Sequence, residues 1–155
     1  MQTRREMMSR SAHLAVMLAG LGLLPGPARA QAAAYNAAAF SGKSLAEVMK
    51  ALGASAPVES RDVSVTGPDI AENGAVVPIG AATTLPGVKR LLMLVEKNPA
   101  VLAAMFDITD AVDANIATRV KMGQSSNVYA VAIMNDGKVL FALKEVKVTL
   151  GGCGG

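Results

Sequence analysis

The sequence is poor in the side chains that most often perform catalysis and bind metals. Among 155 residues it has one histidine, one cysteine and no tryptophan, and aromatic residues make up only 3%. The histidine, His13, lies within a segment that reads as a cleaved export signal. The mature chain therefore has no histidine-based triad, Cys–His pair or His-ligated metal site. A single cysteine also excludes a Cys₃ or Cys₄ metal site and an internal disulfide.

Net charge is absent from the chain beyond residue 30. The whole sequence has 15 basic and 12 acidic residues, but Arg4, Arg5, Arg10 and Arg29 outnumber Glu6 in the first thirty residues. The remainder holds 11 basic and 11 acidic residues. Because this balance leaves no basic patch at the level of sequence, we predict no nucleic-acid binding.

Residues 1–30 have the parts of an export signal peptide. A basic head containing Arg4 and Arg5 precedes an apolar stretch at 12–24, and the small residues around Arg29 predict cleavage after Ala30. A membrane span needs ~20 apolar residues, so we predict no membrane anchor. The paired arginines are typical of a twin-arginine signal, which exports folded proteins. We therefore expect the mature protein in the periplasm.

One short helix is predicted after the signal. The segment 31–40 is rich in alanine and is either disordered or a loose helix. Ser44 and Glu47 have the spacing of a capping box, apolar residues follow at helical spacing, and Gly53 can supply a left-handed stop. These features predict a helix over 45–52, whose simplest role is to cover one end of the domain.

From residue 58 the pattern changes to strands. Pro78 predicts a sheet edge or a bulge, and Asn135-Asp136-Gly137 predicts a hairpin turn. Near Lys144-Glu145 the apolar residues change from odd-numbered to even-numbered positions, which predicts a bulge or twist. The segment 101–109 fits a helix or a strand, with strand favoured. About seven strands separated by turns predict an all-β antiparallel β-sandwich over residues 31–150. The predicted strands are 62–66, 75–79, 88–96, 101–109, 116–122, 128–134 and 139–150.

The last strand runs directly into Gly151-Gly152-Cys153-Gly154-Gly155. Glycine lacks a Cβ and keeps wide backbone freedom. We therefore interpret Gly151, Gly152, Gly154 and Gly155 as a narrow, flexible arm that can place Cys153 in the pockets of other proteins. The alternatives are a frayed terminus, an engineered conjugation handle, or a cysteine that cross-links two copies.

Other charged residues give weaker signals. Asp107, Asp110 and Asp113 fall three apart but lack the glycine and terminal glutamate of a calcium loop. We interpret them as a solvated loop. Lys144 and Lys147 are also interpreted as solvated, with guidance of anionic intermediates as the weaker alternative.

Three segments together resemble the SoxY family, the sulfur carriers of the bacterial thiosulfate-oxidising (Sox) system. They are the strand 144–149 with the terminal Gly-Gly-Cys-Gly-Gly, the segment 68–78 with Ile-Ala-Glu-Asn-Gly-Ala-Val-Val-Pro at its centre, and 121–126 followed by 128–131. The similarity covers nearly all of the mature chain, and the terminal motif shows no departure from the family's. The stretch 31–39 carries no family signal.

The resemblance implies an immunoglobulin-like sandwich that pairs with a second subunit, SoxZ. It also implies a carrier that is not itself an enzyme, with sulfur intermediates held covalently on Cys153 and no cofactor, metal or catalytic residue of its own. In the family, the haem protein SoxAX joins thiosulfate to the thiol, SoxB releases sulfate and SoxCD oxidises the remaining sulfane sulfur. For contact with SoxZ the sequence offers two candidate faces, 75–79 and 128–134.

Two other classes of function fit parts of the sequence. One is a structural β-sandwich protein whose lone Cys153 forms a permanent disulfide between chains. The other is a thiol enzyme, which the missing base and missing resolving cysteine disfavour. A related carrier that serves another periplasmic enzyme would have nearly the same sequence features.

The glycines around Cys153 give a first test. Gly152→Val and Gly154→Val should leave the melting temperature unchanged but slow turnover by partner enzymes, because a branched side chain widens the arm and restricts its backbone. Thermal unfolding and thiosulfate-dependent turnover measure the two effects. A lower melting temperature in either variant would show that the segment packs on the domain.

Overall fold

The computed structural model describes residues 36–149, which form two short helices and nine strands. The predicted signal peptide at 1–30 and the predicted arm at 151–155 lie outside these residues. Neither of the two helices described is long and apolar enough to cross a membrane. The elements in chain order are α1 (Ala37–Phe40), α2 (Leu45–Ala51), β1 (Val58–Glu59), β2 (Val63–Thr66), β3 (Ile70–Ala71), β4 (Val77–Thr83), β5 (Val88–Val95), β6 (Leu102–Asp107), β7 (Asn115–Val120), β8 (Ser126–Met134) and β9 (Val139–Val148).

The strands form two sheets. The larger has the order β1-β9-β8-β5-β6, and β3 also pairs with β9, whereas the smaller has the order β2-β4-β7. The long strands pair antiparallel, and only the two-residue strands β1 and β3 run parallel to their partner β9. The predicted all-β, immunoglobulin-like sandwich with a short N-terminal helix is therefore confirmed.

The core between the sheets is built from aliphatic side chains and methionine. Leu91, Met93 and Val95 alternate along β5 and are fully buried in this core, as is Met122 beyond the end of β7. With so few aromatic residues, the packing must come from branched aliphatic side chains and flexible methionines, which fill irregular gaps. The predicted period of two in β7 is also seen, because Ile116, Thr118 and Val120 are less exposed than the residues between them.

A second buried cluster lies on the outer face of the larger sheet, beneath the helices. Leu92 and Leu94 point away from the inter-sheet core and pack in one cluster with Val48 and Met49 of α2. Successive side chains of a strand point to opposite faces, so β5 is apolar along its whole length because both of its faces are covered. The helix therefore covers a sheet face and not an end of the domain.

Helix α2 begins and ends as its sequence predicts. Ser44 Oγ accepts a hydrogen bond from the Glu47 N–H at 3.2 Å, and Gly53 follows the helix with φ of +64°. Glu47 reaches back one residue further than a standard capping box requires, since its Oε2 accepts from the Lys43 N–H at 2.8 Å. The Ser44 contact satisfies an N–H group that the first helical turn leaves unpaired, whereas the Glu47 contact ties the residue before the N-cap to the helix.

Strand β9 keeps a single register with β8, so of the bulge or twist predicted near Lys144-Glu145 the bulge is absent. Pairing continues without a shift from residue 139 to residue 146. Val139 and Phe141 pack in the outer cluster beneath the helices, whereas Val146 belongs to the core between the sheets. Leu143, where the helical cover has ended, is 44% exposed. The apolar residues therefore change from odd-numbered to even-numbered positions without a bulge. The strand is regular, but its outer face is covered by other residues only at its beginning.

Pro78 lies in the central strand of the smaller sheet, at a point where that strand has only one neighbour. It pairs with Arg119 of β7, whereas pairing with β2 starts at Gly80, opposite Thr66. Proline cannot donate to a ladder, and no β2 acceptor is present at this position. The predicted edge therefore exists locally, at the end of an otherwise central strand.

The outer cluster makes a prediction about stability. Leu92→Ala should lower the free energy of unfolding by about 2–5 kcal/mol, because Leu92 is 0% exposed and its loss leaves a cavity. Leu143→Ala, on the same sheet at 44% exposure, is the matched control and should change it by less than about 1 kcal/mol. Urea unfolding measures both. Equal losses would show that the helices do not seal the outer face.

Candidate functional site

The residues predicted to carry the function lie beyond the described range. These are the attachment residue Cys153 and the arm residues around it, together with Arg4, Arg5 and Ala30 of the signal. The structure describes the chain as far as Thr149, four residues before Cys153. The site that can be described is therefore the place where the predicted arm leaves the domain. We call it the arm root and define it as residues 147–149 with the adjoining segments 69–76 and 121–125.

Strand β3 holds one edge of the end of β9. The Lys147 N–H donates to the Asp69 carbonyl at 3.0 Å, and the Thr149 N–H donates to the Ala71 carbonyl at 3.1 Å. The Thr149 hydroxyl lies 3.4 Å from the carbonyl oxygens of both Ala71 and Glu72. The chain is thus fixed by backbone and side-chain contacts to its last described residue.

A serine holds the opposite edge. The Val148 N–H donates to Ser125 Oγ at 2.9 Å. Strand β8 begins only at Ser126, which is paired with Val146, so on this edge β8 offers no partner opposite Val148. The Ser125 hydroxyl replaces the acceptor that a longer β8 would have supplied. Both edges of the arm root are therefore hydrogen-bonded.

The two loops beside the arm root are also joined to each other. The Met122 N–H donates to the Gly74 carbonyl at 2.7 Å, and Met122 is fully buried. A Cβ on Gly74 would clash with the Met122 carbonyl oxygen and would lie 2.9 Å from Val148 Cγ1. Only glycine lets the two backbones approach this closely. The three sequence segments that carry the family resemblance therefore meet at one place.

An ion pair adds a further link between β9 and Asp69, the residue before β3. Lys144 Nζ lies 2.8 Å from Asp69 Oδ1. The hydrogen bond from Lys144, and then its charge, lower the pKa of Asp69 below the ordinary value of 3.8. Because the Asp69 side chain is 89% exposed, the pair adds little stability. Lys144 is thus occupied by a structural contact, whereas Lys147 at the arm root is exposed.

Elsewhere, residues 36–149 offer no comparable chemistry. This range contains no group of three or more His, Cys, Asp or Glu side chains that could hold a metal ion. Asp110 and Asp113 are exposed and lie in the loop before β7, as predicted. The solvated-loop prediction is wrong for Asp107, which ends β6 and pairs with Arg90 at 2.6 Å. Burial, and then the charge of Glu96, raise the pKa of Tyr129 above its ordinary value of 10.0.

One of the two faces suggested for the partner subunit is wrong. The segment 128–134 lies in β8, which is flanked by β5 and β9 and is mostly buried. It has no free edge and little exposed surface. The segment 75–79 does reach the surface, because Val76 is 51% exposed.

Sequence reasoning missed Gly74, Ser125 and Thr149 as contacts of the arm root. The available signal was their presence in or beside the segments that resemble the family.

Comparison with known proteins is consistent with this geometry. The family described as "Sulfur oxidation protein SoxY" matches residues 48–153, a range that includes Cys153. The structure of the sulfur carrier protein SoxY from Chlorobium limicola f thiosulfatophilum is 31% identical, with a TM-score of 0.60 over 66% of this chain and 93% of that chain. A variant of the superoxide reductase (neelaredoxin) from Ignicoccus hospitalis shares the fold alone, at 15% identity and a TM-score of 0.51 over 56% of this chain and 79% of that chain. No curated protein matches the chain.

The close approach at Gly74 can be tested by adding one methyl group. Gly74→Ala should lower the free energy of unfolding by about 1–3 kcal/mol, because the new Cβ must push apart two backbones. It should also speed hydrogen exchange at the amides of Val148 and Thr149 relative to those of the β8–β9 ladder. Gly123→Ala, where a Cβ meets no atom within 4 Å, is the matched control. Equal effects of the two variants would contradict the described packing.

Proposed function

The chain belongs to the SoxY family, and from this we propose that it carries the intermediates of thiosulfate oxidation covalently on Cys153. As a member of this family it is a sulfur carrier in sulfur oxidation and not an enzyme. The observation that supports the attachment residue is that the family match extends to residue 153, the position of the sole cysteine. A covalent carrier needs one accessible thiol and gains nothing from a second.

The proposed chemistry needs only the thiol of this chain. Loading joins the outer sulfur of thiosulfate to the sulfur of Cys153, with loss of the thiol proton and transfer of two electrons to the haem protein SoxAX. Hydrolysis by SoxB then releases sulfate and leaves a persulfide on Cys153. SoxCD removes six electrons from the outer sulfur, with three oxygen atoms supplied by water, and forms an S-sulfonate on Cys153. A second hydrolysis by SoxB releases sulfate and restores the thiol.

A carrier of this kind needs mobility at the thiol and order at its attachment point. The hydrogen bonds at Lys147, Val148 and Thr149 supply the order. We propose that residues 151–155 act as the arm, since glycine on both sides of Cys153 adds no side chain that would widen it. No cation adjoins Cys153 in sequence to activate the thiolate. We therefore place activation of the thiol in the partner sites.

Membership in the family and the predicted signal also suggest partners and a compartment for the protein. We propose that the protein forms a heterodimer with SoxZ and meets SoxAX, SoxB and SoxCD in turn. The signal at 1–30, with Arg4 and Arg5 and cleavage after Ala30, would export it to the periplasm. Because twin-arginine export accepts folded proteins, a folded complex could cross with one signal for both subunits.

Intact mass tests the attachment directly. Protein from a periplasmic fraction, or incubated with thiosulfate and the loading enzyme, should show additions matching thiosulfate or extra sulfur that a reductant removes and that map to the peptide containing Cys153. Cys153→Ser should show none. Cys153→Ser combined with Val112→Cys is the matched control, because it offers an exposed thiol away from the arm root and should stay unloaded. A species found only as a reducible dimer would favour a structural protein cross-linked through Cys153.

A further inference from the structure

The turn at the arm root contains a pair of residues prone to spontaneous deamidation. Asn73 is the only asparagine of the sequence that a glycine follows. In such a pair the glycine nitrogen can attack Cγ, the carbonyl carbon of the asparagine side chain. Glycine favours this attack because it has no Cβ to obstruct the nitrogen or to restrict the backbone rotation that the attack requires. The Asn73 side chain is exposed to the water that takes part in the reaction.

The reaction exchanges ammonia for water without any change in oxidation state. The Gly74 nitrogen loses its proton to solvent and bonds to Asn73 Cγ, while the bond from Cγ to Nδ2 breaks and ammonia leaves. Water then opens the resulting succinimide ring at one of its two carbonyl carbons. Opening at Cγ gives aspartate. Opening at the backbone carbonyl gives isoaspartate, whose main chain runs through the side chain and is longer by one atom.

In the folded chain, contacts on both sides of this peptide bond oppose the attack. The Asn73 side chain is held over the turn, since its Oδ1 accepts from the Ala75 N–H at 2.9 Å. For the Gly74 nitrogen to reach Cγ, the chain must rotate about the Cα–C bond of Asn73, and Gly74 must move. Gly74 is buried. Its carbonyl accepts from the Met122 N–H at 2.7 Å, and a Cβ on it would lie 2.9 Å from Val148 Cγ1. The attack therefore requires these contacts to open first.

The isoaspartate product does not fit the closed arm root. Before residue 73, the Ala71 carbonyl accepts from the Thr149 N–H at 3.1 Å, and after it the Gly74 carbonyl accepts from the Met122 N–H. Only two residues lie between these anchored positions, so an extra main-chain atom must displace one of them. The aspartate product keeps the length of the main chain and a side-chain oxygen that can accept in the turn. The two products therefore differ in their consequence for the arm root.

We propose that Asn73 is a modification site controlled by the arm root. While the contacts around Gly74 are closed, deamidation is suppressed. When they open, the reaction proceeds, and isoaspartate then holds the arm root open. Such local openings occur in folded proteins, at free energies well below that of global unfolding. The proposal does not depend on the chemistry proposed for Cys153, because it rests on contacts among residues 71–149 alone.

Deamidation rates of the folded and unfolded chain give the first test. The full mature chain, with any stable partner subunit, is incubated at mildly alkaline pH, either in buffer or in enough urea to unfold it. Mass spectrometry then follows the peptide that contains Asn73. The folded protein should deamidate at least about tenfold more slowly, which corresponds to about 1.4 kcal/mol of opening free energy. Equal rates would overturn the proposal.

Ser125→Ala tests whether the arm root controls the rate, with Ser55→Ala as the matched control. Ser125 Oγ accepts from the Val148 N–H, and losing this bond should speed deamidation of the folded protein about three- to tenfold. Ser55 Oγ also bonds to the backbone, at the Gly137 carbonyl, but in the turn before β9, at the strand's other end. Its variant should stay within about twofold of wild type. Equal rates for the two folded variants would show that the arm root does not control the reaction.

The separated products test the second half of the proposal. In the isoaspartate form, the amides of Val148 and Thr149 should exchange hydrogen at least about tenfold faster than in the unmodified protein. Asn73→Asp reproduces the other product and is the control for the added charge, so its exchange at these amides should stay within about twofold of wild type. An isoaspartate form with unchanged exchange, or an Asn73→Asp variant with equally fast exchange, would overturn the role of main-chain length.

Discussion

The end of β9 is held by hydrogen bonds on both of its edges, and the proposed arm starts from this fixed point. Successive N–H groups of a strand point to opposite sides. Here Lys147 and Thr149 donate to β3, while Val148 donates to Ser125. Without these acceptors the end of the ladder would fray, as chain ends commonly do. With them, the start of the predicted arm is fixed relative to the two sheets.

The larger sheet is covered on both faces, but the helices reach only part of it. The larger sheet packs on the smaller sheet with one face and on helix α2 with the other, so that β5 and β8 are buried on both faces. β9 belongs to both clusters at its beginning but only to the inter-sheet core near Val146. The helices stabilise the part of the sheet far from the arm root and leave the arm root accessible to other proteins.

The division between chemistry and scaffold is unusually complete in this protein. The described residues carry hydrogen bonds, packing and a few exposed ion pairs, and they contain no metal-binding cluster. The proposed chemistry rests on one sulfur atom outside that range and on enzymes that act on it. A carrier must be accepted by several active sites in turn, and a narrow peptide on a rigid root meets that requirement better than a shaped pocket would.

The sequence by itself determined the β-sandwich, the helix limits at Ser44 and Gly53 and the family, because these depend on local patterns and on residues adjacent in the chain. It did not explain why the apolar residues of β9 change from odd-numbered to even-numbered positions, since a strand pattern cannot show whether one or both faces of a sheet are covered. It also assigned 128–134 a possible partner face, which the neighbouring strands β5 and β9 exclude. Only the tertiary structure brought Ala71, Gly74 and Ser125 together around Val148 and Thr149. These residues lie up to 78 positions apart in the chain, and contacts at that separation are fixed by the packing of two sheets and not by any local pattern.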